Sequence, residues 1–136
     1  MAINQLHHLN YLVKNIDEST SYFSAIFQQQ PVIESITKRG VITARYDLNG
    51  TYFILVQPTS DTGIVAETLA EKGEGLFLVS LAVDDIESNL DDLETRDIEV
   101  DLTTRRQGLD GWDVCDLKPL SDSRTIIQIC ADNSKS

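Results

Sequence analysis

The sequence predicts an α+β fold built from two βαβββ modules. The first observation is a strand-to-helix junction, in which the apolar run Leu6–Val13 leads directly into Lys14–Glu18. The second is a weaker copy of that junction seventy residues later, where Leu76–Val83 leads into Asp84–Glu87. The third is the dipeptide Asn49-Gly50, which is typical of a two-residue β-hairpin turn. A junction that returns at the start of each half of the chain indicates an internal duplication.

The first module is predicted at about residues 5–58. Its opening strand is apolar on both faces, and Asn15 followed three residues later by Glu18 resembles a helix capping box. Pro31 ends the helix, whose expected core stripe is Tyr22, Phe23, Ile26 and Phe27. Strands are then expected at about Val32–Thr37, at Val41–Leu48, and again after the Asn49-Gly50 turn.

The Asn49-Gly50 turn fixes the register of its hairpin. Leu48 should lie opposite Thr51, and Arg45 opposite Ile54. Side chains then alternate between two faces. The more apolar face, which is expected to meet the helix, carries Ala44, Tyr46, Leu48, Phe53 and Leu55. The mixed face, expected to line a cavity, carries Thr43, Arg45, Asp47, Tyr52, Ile54 and Val56.

Residues 59–74 are predicted to connect the modules, with a short helix at Ile64–Lys72. The second module is predicted at about residues 75–131, with a helix that buries Ile86, Leu90 and Leu93. The remaining elements are expected to be a short strand at Ile98–Leu102, a loop at Thr103–Gly111, and strands at Trp112–Leu117 and Arg124–Cys130. The tail from Ala131 is polar and is expected to fray.

Composition limits the range of functions. The 136 residues are expected to form one domain, spanning residues 1–136. A net charge of −11 disfavours nucleic acid and anionic membranes as partners. No apolar run is long enough to cross a bilayer, and the N-terminus lacks a signal-peptide pattern. A cytoplasmic protein is therefore predicted, with Cys115 and Cys130 as free buried thiols.

Several short motifs, in this order and spacing, resemble the vicinal oxygen chelate superfamily, which includes glyoxalase I, methylmalonyl-CoA epimerase, extradiol dioxygenases and bleomycin- and fosfomycin-resistance proteins. The resemblance covers about residues 6–130. It implies that the sheets of both modules curve around a shared cleft, with the helices on their convex faces, and that the chain forms a homodimer. The motifs are His8-Leu9, Val13-Lys14-Asn15-Ile16-Asp17, Lys72-Gly73-Glu74-Gly75, Val83-Asp84-Asp85-Ile86-Glu87 and Lys118-Pro119.

Metal-dependent members of this superfamily carry four ligands, one on each of four strands. The resemblance assigns those positions to His8, Ile54, Leu78 and Gln128. Only His8 is a strong ligand, Gln128 offers a neutral carbonyl oxygen, and the two aliphatic side chains cannot coordinate. No metal of the family type and no cofactor are therefore expected. His7 is expected on the opposite face or at the start of the strand, as a surface or packing residue.

Strand alternation and the resemblance together predict a ligand-binding set: His8, Asn10, Arg45, Ile54, Leu78, Trp112, Asp116 and Gln128. The same face should carry Thr43, Val56, Ser80, Val114, Ile126 and Cys130. Arg45 suits a carboxylate or phosphate, but an ion pair with Asp116 is an equal alternative. His8 is a candidate general base or a histidine satisfied by neighbours such as Gln128. Trp112 either stacks on a planar ligand or packs in the core.

Three functional hypotheses follow. The leading one is a metal-free, small-molecule-binding protein whose ligand is partly apolar and anionic. The alternative is a lyase or isomerase of the glyoxalase or epimerase type, with a divergent metal site at His8 and Gln128. The third is an interaction subunit whose cleft is filled by its own side chains. No nucleophile–base arrangement stands out in the sequence, so no catalytic residue is assigned.

Overall fold

The computed structural model describes residues 2–108, 111–120 and 125–132. The described elements run β-α-β-β-β, then a helix, then β-α-β-β-β, which confirms the predicted α+β fold of two modules. No helix in the described part of the chain is long and apolar enough to cross a membrane. In chain order the elements are β1 Gln5–Leu12, α1 Ile16–Phe27, β2 Val32–Ile36, β3 Val41–Leu48, β4 Thr51–Pro58, α2 Ile64–Lys72, β5 Gly75–Ala82, α3 Ile86–Thr95, β6 Val100–Gln107, β7 Asp113–Leu117 and β8 Ile126–Ala131.

Residues 8–77 form a compact N-terminal unit. Its strands are ordered β2-β3-β4-β1, and β1 runs parallel to β4. The hairpin between β3 and β4 turns at Asn49 and Gly50, whose φ angles are 58° and 102°. The Asp47 carboxylate accepts a hydrogen bond from the Gly50 amide at 2.7 Å. The predicted register is confirmed, because Arg45 pairs with Ile54.

Helix α1 covers one face of this sheet. Its Asn15 cap accepts a hydrogen bond from the Glu18 amide, as predicted. The more apolar face of the hairpin packs against the helix, in a cluster that includes Ala44, Tyr46, Leu55, Phe23 and Phe27. The predicted stripe was too wide, since Tyr22 is 65% exposed and Ile26 53% exposed. One helix presents a single apolar stripe, here the partly buried Phe23 and Phe27. Tyr22 and Ile26 each precede one of these phenylalanines, and one residue turns a helix by about 100°.

Residues 2–7 and 78–132 belong to the C-terminal unit. Its strands are ordered β5-β8-β7-β6, and β5 runs parallel to β8. The Asp85 carboxylate caps α3 by accepting from the Glu87 and Ser88 amides. The helix packs its apolar stripe onto the sheet, where the buried cluster comprises Val83, Ile86, Leu90, Cys115, Ile129 and Ala131.

The duplication predicted from the two junctions is visible in their hydrogen bonds. The Val13 amide donates to the Val56 carbonyl at 2.9 Å, and the Val83 amide donates to the Cys130 carbonyl at 2.8 Å. Each bond joins the end of a module's first strand to its last strand. Residue numbers in β1 therefore correspond to numbers seventy higher in β5.

Two sequence expectations in the second module were wrong, and a third is not tested. Thr103–Gln107 is not a loop but continues β6, whose pairing with β7 shifts register between Asp101 and Arg106. An irregular outer strand with polar side chains lacks the alternation that marks a strand in sequence. The tail does not begin at Ala131, which is 5% exposed and ends β8. The expected start of that strand, Arg124, lies outside the described residues.

Candidate functional site

The sheet face of the N-terminal unit that points away from α1 carries four of the predicted site residues. Strand pairing places Asn10 opposite Ile54, and Ile54 opposite Arg45, in one row across three strands. His8 lies one row away, opposite Tyr52. The predicted grouping of these residues on one face therefore agrees with the observed register.

Two polar atoms on this face are buried without a partner. Asn10 Oδ1 and Thr43 Oγ1 have no hydrogen-bond partner among the described residues. Between them lie Ile54 and Val56, which are 2% and 6% exposed. A buried polar group without a partner costs about 1–3 kcal/mol, so most proteins avoid it. The cost is recovered when a ligand or a water supplies the missing hydrogen bonds.

Arg45 provides positive charge on the same face. Its guanidinium carbon lies 5.2 Å from the centre of the Tyr52 ring, within the range of a cation–π contact. Its ion pair with Glu34 is 3.8 Å long, well beyond the 2.7–2.9 Å of a charge-assisted hydrogen bond. The side chain is 16% exposed. Arg45 thus contacts the Tyr52 ring and forms a long ion pair with Glu34.

In the corresponding row of the C-terminal unit, the polar side chains hydrogen-bond one another. The Ser80 hydroxyl donates to Gln128 Oε1 at 2.8 Å, and Gln128 Nε2 donates to the Asp116 carboxylate at 3.1 Å. A carboxylate only accepts, so the orientation of the Gln128 amide is determined by chemistry. Asp116 also pairs with Arg106 at 3.8 Å. In this unit the predicted site residues Gln128 and Asp116 satisfy one another.

This comparison explains the unpartnered Asn10. By the seventy-residue correspondence Asn10 matches Ser80, and the strand pairing places Ser80 opposite Gln128 but Asn10 opposite Ile54. An isoleucine side chain neither donates nor accepts. The series of side-chain hydrogen bonds is therefore interrupted in the N-terminal unit and continuous in the C-terminal unit.

The four family metal positions do not supply a suitable donor set. Ile54 and Leu78 are buried aliphatic side chains, and His8 is the one strong ligand of the four. The Gln128 oxygen already accepts from Ser80. One imidazole and one engaged neutral amide cannot offset the charge of a divalent ion, so these residues do not fit the family's metal.

His7 was missed by the sequence interpretation. It is fully buried, and its Nε2 lies 2.6 Å from the Asp132 carboxylate. Its Nδ1 lies 3.8 Å from Cys130 Sγ, and its ring meets Trp112 edge-on at 4.5 Å. His7 is thus a packing residue, one of the two expected alternatives, but its contacts with Trp112, Cys130 and Asp132 were not predicted. The available signal was an acidic residue directly after the last strand.

The other cysteine has a different environment. Cys115 Sγ lies 3.4 Å from the Asp101 carbonyl oxygen, among the apolar residues below α3. Burial raises the pKa of this thiol above its ordinary value. Both cysteines are buried thiols outside any disulfide within the described residues, as predicted. On β6, the hydrogen bond from Arg105 to Asp113 raises the pKa of the guanidinium.

Two surface depressions elsewhere in the described part of the chain, of about 360 and 480 Å³, contain none of the predicted site residues. One lies along α1 and the other between α3 and β6. Both are lined mostly by polar and charged side chains.

Comparison with solved structures identifies close matches in fold. A hypothetical protein, BH1468 from Bacillus halodurans, matches with a TM-score of 0.87 and 19% identity, over 97% of this chain and 96% of that chain. Methylmalonyl-CoA epimerase from Streptomyces coelicolor, in complex with 2-nitronate-propionyl-CoA, matches at 0.83 and 18%, over 98% and 97%. The Mycobacterium tuberculosis epimerase matches at 0.83 and 16%, over 96% and 89%.

The sequence comparisons agree with this fold. A putative protein of Caenorhabditis elegans, C31H2.4, is 26% identical over 99 residues. Those residues are 73% of this chain, and the match spans 27% of the longer nematode protein. The sequence profile of the glyoxalase, bleomycin resistance protein and dioxygenase superfamily matches residues 7–115. The chain therefore belongs to the glyoxalase/bleomycin resistance protein/dioxygenase superfamily.

Proposed function

We propose that this chain binds a small, partly apolar anion on the N-terminal sheet face, without a metal of the family type. The observation that carries the proposal is the pair of buried, unpartnered atoms, Asn10 Oδ1 and Thr43 Oγ1, on the same face as Arg45. A ligand that hydrogen-bonds both atoms would recover the free energy that their burial costs.

The three polar groups define the chemistry of the ligand. The Arg45 guanidinium suits a carboxylate or a phosphate, and the Thr43 hydroxyl donates to the same kind of oxygen. Asn10 Oδ1 accepts, so it calls for a hydroxyl or an N–H group on the ligand. Ile54 and Val56 lie between these groups and suit an aliphatic portion. The class that fits is a short hydroxy or amido carboxylate with an apolar body.

The dimensions agree with a small molecule. Asn10 and Arg45 lie two strands apart, which places their Cα atoms roughly 10 Å from each other. Thr43 and Arg45 are two residues apart on one strand, or roughly 7 Å. A small molecule can span both distances.

The rival hypothesis is a metal-dependent lyase or isomerase acting through His8 and Gln128. The similar epimerases make a CoA thioester a reasonable substrate to test. The hydrogen bonds of Gln128 to Ser80 and Asp116 weigh against this hypothesis, because they already occupy its amide. Chelator-sensitive exchange of the α-proton of methylmalonyl-CoA with solvent would favour the enzyme and overturn the metal-free proposal.

Ligand screening by thermal shift tests the proposal directly. Short hydroxy carboxylates, amido carboxylates, phosphates and a CoA thioester should be compared at equal concentration. We expect selected carboxylates to raise the melting temperature, and Arg45→Ala to remove most of that rise. Arg96→Ala removes the same charge from an exposed pair on α3 and serves as the matched control. Equal stabilisation of wild type and Arg45→Ala would contradict the role given to Arg45.

The homodimer stays a prediction from the resemblance, and the cytoplasmic location stays a prediction from composition. Sedimentation of the full chain at micromolar concentration checks the first, and a monomeric mass would contradict it. Localisation of a tagged full chain checks the second.

A further inference from the structure

We propose that His7 and Cys130 form the core of a zinc-class metal site in the C-terminal unit, with Asp132 orienting the histidine. The observation is a chain of three side chains, in which a carboxylate contacts one ring nitrogen of a buried imidazole and a thiol faces the other. None of the three residues occupies a family metal position.

The distance between the two donor atoms fits a shared ion. Zinc binds imidazole nitrogen at about 2.0–2.1 Å and thiolate sulfur at about 2.3 Å. In tetrahedral geometry those bonds separate nitrogen and sulfur by about 3.6 Å. The observed separation of His7 Nδ1 and Cys130 Sγ is 3.8 Å.

Asp132 sets the tautomer that metal binding requires. Its carboxylate accepts from His7 Nε2 at 2.6 Å, so in the neutral ring the proton resides on Nε2. The Nδ1 lone pair then faces Cys130 Sγ. Histidines that bind metals typically donate their other N–H to a carboxylate in this way. The expected role of Asp132 is to position His7 rather than to coordinate the metal.

The burial of His7 and Cys130 affects the charge that the site can hold. His7 and Cys130 are each 0% exposed, and Trp112, 3% exposed, fixes the imidazole plane by an edge contact. Cys130 would bind a metal as the thiolate, and the bound cation would supply the positive charge that offsets it. One thiolate with one imidazole favours zinc, cobalt or copper over magnesium and calcium, which prefer oxygen ligands.

Cys115 offers an internal control. It is as deeply buried as Cys130, but within the described part of the chain its sulfur contacts oxygens of Asp101, Thr104 and Asp116 rather than an imidazole. A metal that requires a thiolate–imidazole pair should therefore distinguish the two cysteines.

Cobalt titration of the chelator-treated full chain tests the inference. We expect a thiolate-to-cobalt charge-transfer band that saturates at one ion per chain and disappears when zinc is added. Cys130→Ser should abolish the band and Cys115→Ser should retain it. Asp132→Asn keeps both ligands, yet it should weaken affinity by roughly 10- to 100-fold, as loss of such an orienting carboxylate does. His7→Gln should weaken affinity by at least as much.

The band also separates this site from a family-type site, whose nitrogen and oxygen ligands give no thiolate transition. Absence of the band in wild type, or its retention in Cys130→Ser, overturns the inference. If circular dichroism shows that Cys130→Ser does not fold, the alkylation rates of both cysteines in the wild-type protein, measured with and without zinc, test the site instead. Zinc should then protect Cys130 and leave the rate at Cys115 unchanged, and equal rates at Cys130 with and without zinc refute the site. Arg45→Ala should bind metal normally, so this test and the ligand test fail separately.

Discussion

The Ser80 hydroxyl donates to the Gln128 amide oxygen at 2.8 Å, and both side chains are buried within the C-terminal unit. The side-chain nitrogen of Gln128 in turn donates a hydrogen bond to the Asp116 carboxylate. At the equivalent point of the other module Asn10 faces Ile54, and the chain of hydrogen bonds stops. The two copies of one module thus differ in whether the polar side chains of this row have hydrogen-bond partners, and substitutions in the two rows should have opposite effects on stability.

Removing the Gln128 amide from the hydrogen-bonded row of the C-terminal unit should destabilise the protein. Gln128→Leu leaves the Ser80 hydroxyl and one side of Asp116 without their partner, so we expect a loss of roughly 2–4 kcal/mol in unfolding free energy. Urea denaturation monitored by circular dichroism measures it. Ile127→Ala, on the other face of β8 and 39% exposed, is the control and should cost less. An unchanged midpoint in Gln128→Leu would show that the row contributes nothing.

Removing an unpartnered group should have the opposite effect. Thr43→Val replaces the buried hydroxyl by a methyl group of similar size, so unfolding free energy should rise by about 1 kcal/mol. The same variant should lose affinity for the anionic ligands. Urea denaturation and thermal shift on one preparation measure both effects. A destabilised Thr43→Val would mean that the hydroxyl already has a partner, and the proposed binding face would lose its main support.

The two helix caps should contribute similarly despite their different residues. Asn15 caps α1 through the Glu18 amide, and Asp85 caps α3 through the Glu87 and Ser88 amides. Each change to alanine should cost about 0.5–2 kcal/mol. Asp85→Asn retains the accepting oxygen and should cost less than Asp85→Ala. Alanine variants as stable as wild type would contradict the capping roles.

Stability should fall in alkaline solution because of Cys115. Burial raises the pKa of this thiol above its ordinary value of 9.0, so the unfolded chain releases the proton first. The stabilisation is therefore complete below the pKa of the unfolded state and is lost as pH rises towards that of the folded state. Unfolding free energy of wild type should decline from about pH 8 to about pH 10. Cys115→Ala should show a shallower decline, and identical slopes would contradict the assignment.

The fold was predictable where local signals and packing agreed. Asn49-Gly50 fixed the hairpin register because a tight turn allows one pairing, and Asn15 marked the start of α1 because its side chain satisfies a free amide. Strand β6 was cut short because its outer, polar residues carry no alternation.

The site was harder to predict because it depends on contacts distant in sequence. Alternation grouped Asn10, Ile54 and Arg45 correctly, and register alone determines that grouping. It could not indicate that Ser80 and Asp116 occupy the Gln128 amide. Nor could it place His7, whose partners lie more than a hundred residues away and include Asp132 in a segment that resembled a frayed tail.

The outer strands also differ in how they resist pairing with another chain. Strand β6 combines a register shift with Arg105 and Arg106, and both features discourage a further strand from adding to an edge. Strand β2, the outer strand of the N-terminal unit, exposes Val32 and Ile33, which are 53% and 55% exposed. With two exposed apolar side chains and an unshifted register, β2 is the edge at which aggregation of this protein should begin during refolding at high concentration.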